Sequence, residues 1–176
     1  NCLCQPKLLK EAVELLEAIL MGFRCKPLDA CNALIEKLCC RGFTNIADVL
    51  AKELLERGLV LDDVVYNHLL SGFCREKRLA EASLLVDAMV AKKFDPCLDV
   101  SLQLIPQLCK AGNLEKAVLL KDICIKKQSS AQLSVYHALI NGLCKVGRLV
   151  EAFHLLEEMS LKRQLLDKEV YNMLLQ

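Results

Sequence analysis

The chain has 176 residues, a hydrophobic fraction of 54% and a formal net charge of +1. That much apolar material builds a core and excludes a disordered tail, while the near-neutral balance confines any basic footprint to a local patch. Seven Gly and four Pro in a Leu- and Ala-rich chain favour helices, and no apolar run reaches the roughly 18 residues that suggest a membrane span.

Residues 1–27 read as the second-helix part of a preceding repeat, and the charges inside their apolar stretch exclude a secretory signal. From residue 28 the sequence matches itself at a shift of 35 without a gap. Alanine returns at Ala47, Ala82, Ala117 and Ala152, leucine at Leu34, Leu69, Leu104, Leu139 and Leu174, and cysteine at Cys39, Cys74, Cys109 and Cys144. A period of this length means stacked supersecondary units. The complete repeats span 28–62, 63–97, 98–132 and 133–167, the third of them degenerate, and 168–176 begins a further one. Neither end carries a polar cap, which predicts a piece of a longer array.

Each repeat reads as two helices. In the last complete one, Ser134 is placed to cap the first helix, which carries Tyr136, Leu139, Ile140 and Leu143 at helical spacing. Gly147 then ends it in a left-handed turn, a position shared by Gly42 and Gly112 but broken by Lys77. The second helix aligns Leu149, Ala152, Phe153, Leu156 and Met159 along one apolar stripe. In the third repeat Pro106 is expected to interrupt the first helix.

The eleven cysteines include no Cys-x-x-Cys, and the three histidines lie far apart, so no metal site and no cofactor are expected. Equivalent helices in stacked repeats sit about 8–10 Å apart, beyond the roughly 7 Å Cα reach of a disulfide. The register cysteines are therefore expected to be reduced and buried as small apolar residues, beside Leu38, Phe73, Leu108 and Leu143. The tyrosines at positions 66, 136 and 171 are expected to pack between helices, and His68 and His154 to be ordinary surface or packing residues.

Residues 64–89, "VVYNHLLSGFCREKRLAEASLLVDAM", and 134–159, "SVYHALINGLCKVGRLVEAFHLLEEM", resemble pentatricopeptide repeats of the plain 35-residue type. The resemblance covers nearly the whole chain. It implies an all-α fold, a right-handed α-α superhelical solenoid of helix-turn-helix repeats. It also implies modular binding of single-stranded RNA, one base per repeat, in an organelle. The expected role is the processing, stability or translation of an organellar transcript in a mitochondrion or chloroplast, with the mitochondrion preferred.

The resemblance assigns roles column by column. The base readers are Asn32 with Asp62, a pair that resembles a uridine reader, then Asn67 with Cys97, and His137 with Asp167. Asn172 begins a fifth pair, whereas Leu102 with Gln132 reads nothing. Val64 is the base-flanking residue, in a column otherwise filled by Asp29, Asp99, Ser134 and Glu169. Arg75, Lys110 and Lys145 face phosphate.

The residues also carry plainer readings. Asp29, Asp99 and Glu169 suit helix N-termini as caps, and Arg75, Lys110 and Lys145 suit helix C-termini, where a cation gains roughly 0.3–1 kcal/mol. No His-x-Glu motif, phosphate loop or nucleophile elbow stands out, so no catalytic residue and no enzyme activity are expected. The alternative function is a protein-interaction scaffold with little RNA contact, its partner another protein or a second copy of the array.

Overall fold

The computed structural model describes residues 27–127 and 132–161, with Lys10, Glu11 and Glu14 before them. From residue 27 on, the described residues form eight helices and no strand. These are α1 (Pro27–Cys40), α2 (Thr44–Glu56), α3 (Asp63–Arg75), α4 (Leu79–Ala91), α5 (Leu98–Lys110), α6 (Leu114–Lys127), α7 (Gln132–Lys145) and α8 (Leu149–Leu161). They fall into two compact bodies, one through Phe94 and one from Asp95 on. In the first body α3 packs against α1, α2 and α4. In the second, α7 packs against α5, α6 and α8.

The recurring columns are the core. Ala47, Ala82, Ala117 and Ala152 are fully buried, as are Leu104 and Leu139. An alanine here lets the two helices of a repeat approach closely, and a larger residue would overpack the contact. Tyr136 is fully buried and Tyr66 nearly so, so both pack between helices. Tyr171 lies outside the described residues.

Each first helix ends in one repeated device. Gly42, Gly112 and Gly147 have φ between 74° and 79°, and their amides donate to the carbonyls of Cys39, Cys109 and Cys144. The next amide then donates to the carbonyl of Leu38, Leu108 or Leu143. Lys77 does not break the column: its φ is 58°, and it donates to the Cys74 carbonyl in the same way. The hydrogen bonds of the turn hold the backbone there although a side chain is present.

Four expectations need correction. Ser134 does not cap the last first helix, because α7 already begins at Gln132 and Ser134 lies exposed in its first turn. Pro106 does not interrupt α5, which runs unbroken from Leu98 to Lys110. Its flanking residues Ile105, Leu108 and Cys109 are buried, and that packing outweighs one missing amide. Leu149 and Phe153 are not part of the buried stripe: they are 46% and 54% exposed, whereas Ala152, Leu156 and Met159 are buried. The positions of 152, 156 and 159 centre the buried face on the far side of the helix, and Phe153 points off its edge. Asp29 and Asp99 are exposed first-turn residues rather than caps. The capping position is the last residue of the preceding repeat, Asp62 for α3 and Cys97 for α5.

Candidate nucleic-acid interface

Asp62 has extended backbone, and its Oδ1 accepts a hydrogen bond from the Val65 amide, 3.2 Å away. This satisfies one of the free amides at the start of α3. Its other oxygen, Oδ2, accepts from Asn32 Nδ2 at 3.2 Å. One carboxylate therefore anchors a helix start and orients an amide on the neighbouring first helix. Asn32 and Asp62 are both half-buried, and Asn32 Oδ1 is buried without a hydrogen-bond partner in the described structure. An amide inside a helix is a poor helix former. Here the carboxylate 30 residues on fixes its orientation.

Asn67, in the same column on α3, donates from Nδ2 to the Asp63 carbonyl at 2.9 Å. Cys97 is exposed and stands at the N-cap of α5 without a side-chain cap; its carbonyl accepts from Ser101 Oγ. His137 is half-buried on α7, with Nε2 buried and without a partner. Leu102 is half-buried on α5, and Gln132 begins α7. Asp167, Asn172 and Glu169 lie outside the described residues.

Val64 is 43% exposed in the first turn of α3. Arg75, Lys110 and Lys145 are exposed at the last turns of α3, α5 and α7. A cation there complements the helix dipole and stays available to an anion. Arg75 Nη2 lies 3.9 Å from Sγ of the exposed Cys40 on α1. Among the described residues no group of His, Cys, Asp and Glu is arranged to hold a metal ion.

The register cysteines are free thiols. Cys39, Cys74 and Cys109 are buried, but Cys144 is only half-buried. Burial pushes the Cys39 thiol up to about 12 and that of Cys109 up to about 11. Such thiols are neither nucleophiles nor metal ligands at neutral pH.

Sequence reasoning missed what these cysteines pack against. A Cβ on Gly72 would lie 2.5 Å from Thr44 Oγ1 and 3.2 Å from Cys39 Cβ. On Gly142 it would lie 3.0 Å from Cys109 Sγ and 3.3 Å from Pro106 Cα. Bare glycine thus lets α3 close on α1, and α7 on α5. The usable signal was the recurrence of glycine at 72 and 142, two periods apart.

A second undetected contact joins neighbouring repeats. Glu76 Oε1 accepts from both the backbone amide and the hydroxyl of buried Thr44, at the start of α2. The residue before Thr44 supplies no side-chain cap, so a carboxylate from the next repeat takes that role. Arg78 holds the other side of the group: it lies 3.6 Å from Glu76, hydrogen-bonds Glu81 and Asn45, and stacks over Phe73.

The PPR repeat family matches residues 57–90 and 133–160. Over 108 residues, 61% of the chain, it is 38% identical to a mitochondrial pentatricopeptide repeat-containing protein of Arabidopsis thaliana. A second mitochondrial protein of that family and plant is 31% identical over 91 residues. The chain spans only 9% and 11% of these two relatives. In fold it resembles the pentatricopeptide repeat protein PPR10 from maize, with a TM-score of 0.55 at 18% identity, covering 97% of this chain and 29% of that one. PPR10 in complex with an 18-nt psaJ RNA element gives 0.56 at 23% identity, covering 97% of this chain and 26% of that one.

Proposed function

The chain is built of pentatricopeptide repeats, and on that premise we propose that it binds single-stranded RNA through the first helices of its repeats, one base to a repeat. The observation that carries the reading is the Asn32–Asp62 hydrogen bond. It orients a half-buried amide inside a helix, where packing alone gives no reason for Asn. Base selection then falls to the polar pair at the junction of two repeats. The exposed side chains of Arg75, Lys110 and Lys145 supply sequence-independent attraction to phosphate. Val64, exposed beside Asn67 at the start of α3, supplies an apolar surface for the base.

The repeats contribute unequally. Asn32 with Asp62 reads a base, and Asn67, Cys97, His137 and Asp167 occupy the corresponding reading columns of the sequence. The third repeat, with Leu102 at the reading position, offers no hydrogen-bonding side chain there and is silent. The function is recognition rather than catalysis, in the service of processing, stability or translation of an organellar transcript. The mitochondrial relatives support the mitochondrion over the chloroplast.

The test is a binding series with the full-length array and single-nucleotide variants of its best RNA. Changing Asn32 and Asp62 together should alter preference at one nucleotide and leave the rest intact. Lys110→Ala and Lys145→Ala should weaken all sequences alike. Unchanged affinity and preference at every position in the Asn32/Asp62 variant would remove base reading from this segment.

A further inference from the structure

Along α3 the residues that stay accessible form one stripe. Val64, His68, Ser71 and Arg75 follow at spacings of four, three and four, which returns them to the same side of a helix. Val64 and Arg75 are exposed, and His68 and Ser71 are half-buried. The buried face of α3, from Val65 and Tyr66 to Phe73 and Cys74, lies on the other side. His68 is the residue of this stripe for which neither packing nor base reading gives a reason.

Its Nδ1 is buried without a hydrogen-bond partner in the described structure. Among the described residues the other buried side-chain atoms left in that state are Asn32 Oδ1 and His137 Nε2, and all three stand on first helices. Buried polar atoms are seldom left unpaired, so these helices carry polar side chains that the fold itself does not use. The orphaned nitrogen also fixes where the ring proton sits. A proton on Nδ1 would be a buried donor without an acceptor, the costlier kind of orphan. In the neutral ring the proton therefore sits on Nε2, which is not buried, and His68 presents one N–H donor at the stripe.

Position along the helix says what that donor meets. At about 1.5 Å per residue, His68 stands roughly 6 Å along the axis from Val64 and roughly 10 Å from Arg75. Val64 offers its surface to a base and Arg75 its charge to a phosphate. The group that joins base to phosphate is the ribose. We propose that His68 Nε2 donates a hydrogen bond to the 2′-hydroxyl of a bound nucleotide, so that this repeat distinguishes RNA from DNA. The contact rests on the reading that the first helices bind RNA, and it adds the sugar to what they recognise. Ala33 and Ala138 hold the same place in the first and fourth repeats and have no side-chain donor, while Gln103 is the other polar residue of the column.

The test uses the full-length array and its best RNA, with each nucleotide in turn replaced by its 2′-deoxy form. For the wild type, deoxy substitution at the nucleotide that His68 meets should weaken binding by about three- to tenfold, the cost of one ordinary hydrogen bond. His68→Ala should weaken the all-ribose RNA by a similar factor and make that one position insensitive to deoxy substitution. Base preference at every position and the thermal melt should stay as in the wild type. A wild-type profile without a sensitive position, or a profile that His68→Ala leaves unchanged, overturns the proposal while base reading stands. So does a changed base preference in His68→Ala, since the ring would then meet a base. Failure of the wild-type array to bind any single-stranded RNA removes base reading and the sugar contact together.

Discussion

Lys77 holds a φ of 58° at the end of α3, a conformation that costs an L side chain about 1–2 kcal/mol. Glycine at that position is free of the penalty, although it gains more entropy on unfolding. Lys77→Gly is therefore expected to stabilise the protein by up to about 1 kcal/mol. A rise in the denaturant midpoint at constant slope checks it. Gly147→Ala, at a φ of 74°, should move stability about as far the other way. The thiols make a second residue-scale case. Cys39 and Cys40 are sequence neighbours, one 2% exposed and the other exposed. Native labelling should modify Cys40 quickly and Cys39 only at the rate of opening. The Cys39 thiol is raised by burial from an ordinary 9.0 to about 12. Its contribution to stability is thus fully present below pH 9. Above that the unfolded chain loses its proton first, and the contribution declines until the folded thiol titrates near pH 12. Urea midpoints at pH 7, 8 and 10 should agree for the first two and fall at the third.

At the scale of the element, helix contacts are set by small residues and by acids that cross between repeats. Gly72→Ala brings a Cβ to 2.5 Å from Thr44 Oγ1, and it should cost on the order of 1–3 kcal/mol. Gly142→Ala meets its nearest atom at 3.0 Å, on the thiol of Cys109, and should cost less. Thermal melts of the two variants rank them. Buried Lys121 pairs with half-buried Glu158, which joins α6 to α8, and Tyr136 from α7 holds the carboxylate. Lys121→Met alone leaves a half-buried carboxylate without its counter-charge, and the expected loss is about 1–3 kcal/mol. The double change Lys121→Met with Glu158→Leu should recover most of that loss, since burying charge opposes the gain from pairing it. A double-mutant cycle of unfolding free energies measures the coupling.

At the scale of the whole molecule the near-neutral net charge matters less than where the cations stand. Arg75, Lys110 and Lys145 are exposed at equivalent helix ends one period apart. On the proposed reading these three cations neutralise three phosphates, which predicts a log–log salt slope near 2 for single-stranded RNA, at about 0.7 per phosphate. Lys110→Ala should reduce that slope by about 0.7 for every sequence tested, which titrations at several salt concentrations read directly. The all-α fold and the core columns were legible in the sequence, because a period of 35 with apolar residues at helical spacing depends only on local chain order. So was the burial of the alanine column from Ala47 to Ala152 and of Tyr66 and Tyr136. Other features depended on residues 30 or more positions away, which a local pattern does not contain. The turn at Lys77, by contrast, was decided locally, by hydrogen bonds to the carbonyls of Cys74 and Phe73 that hold the backbone despite a side chain. The orientation of Asn32 was decided by Asp62, and the cap of α2 by Glu76. Phe153 looked like core because its spacing matched, yet it faces out because the neighbouring helices contact α8 on the side of Ala152, Leu156 and Met159. Sequence alone determined which residues recur and therefore which faces turn inward. Tertiary structure alone decided how closely the helices approach and which polar groups meet, since both are set by contacts between repeats.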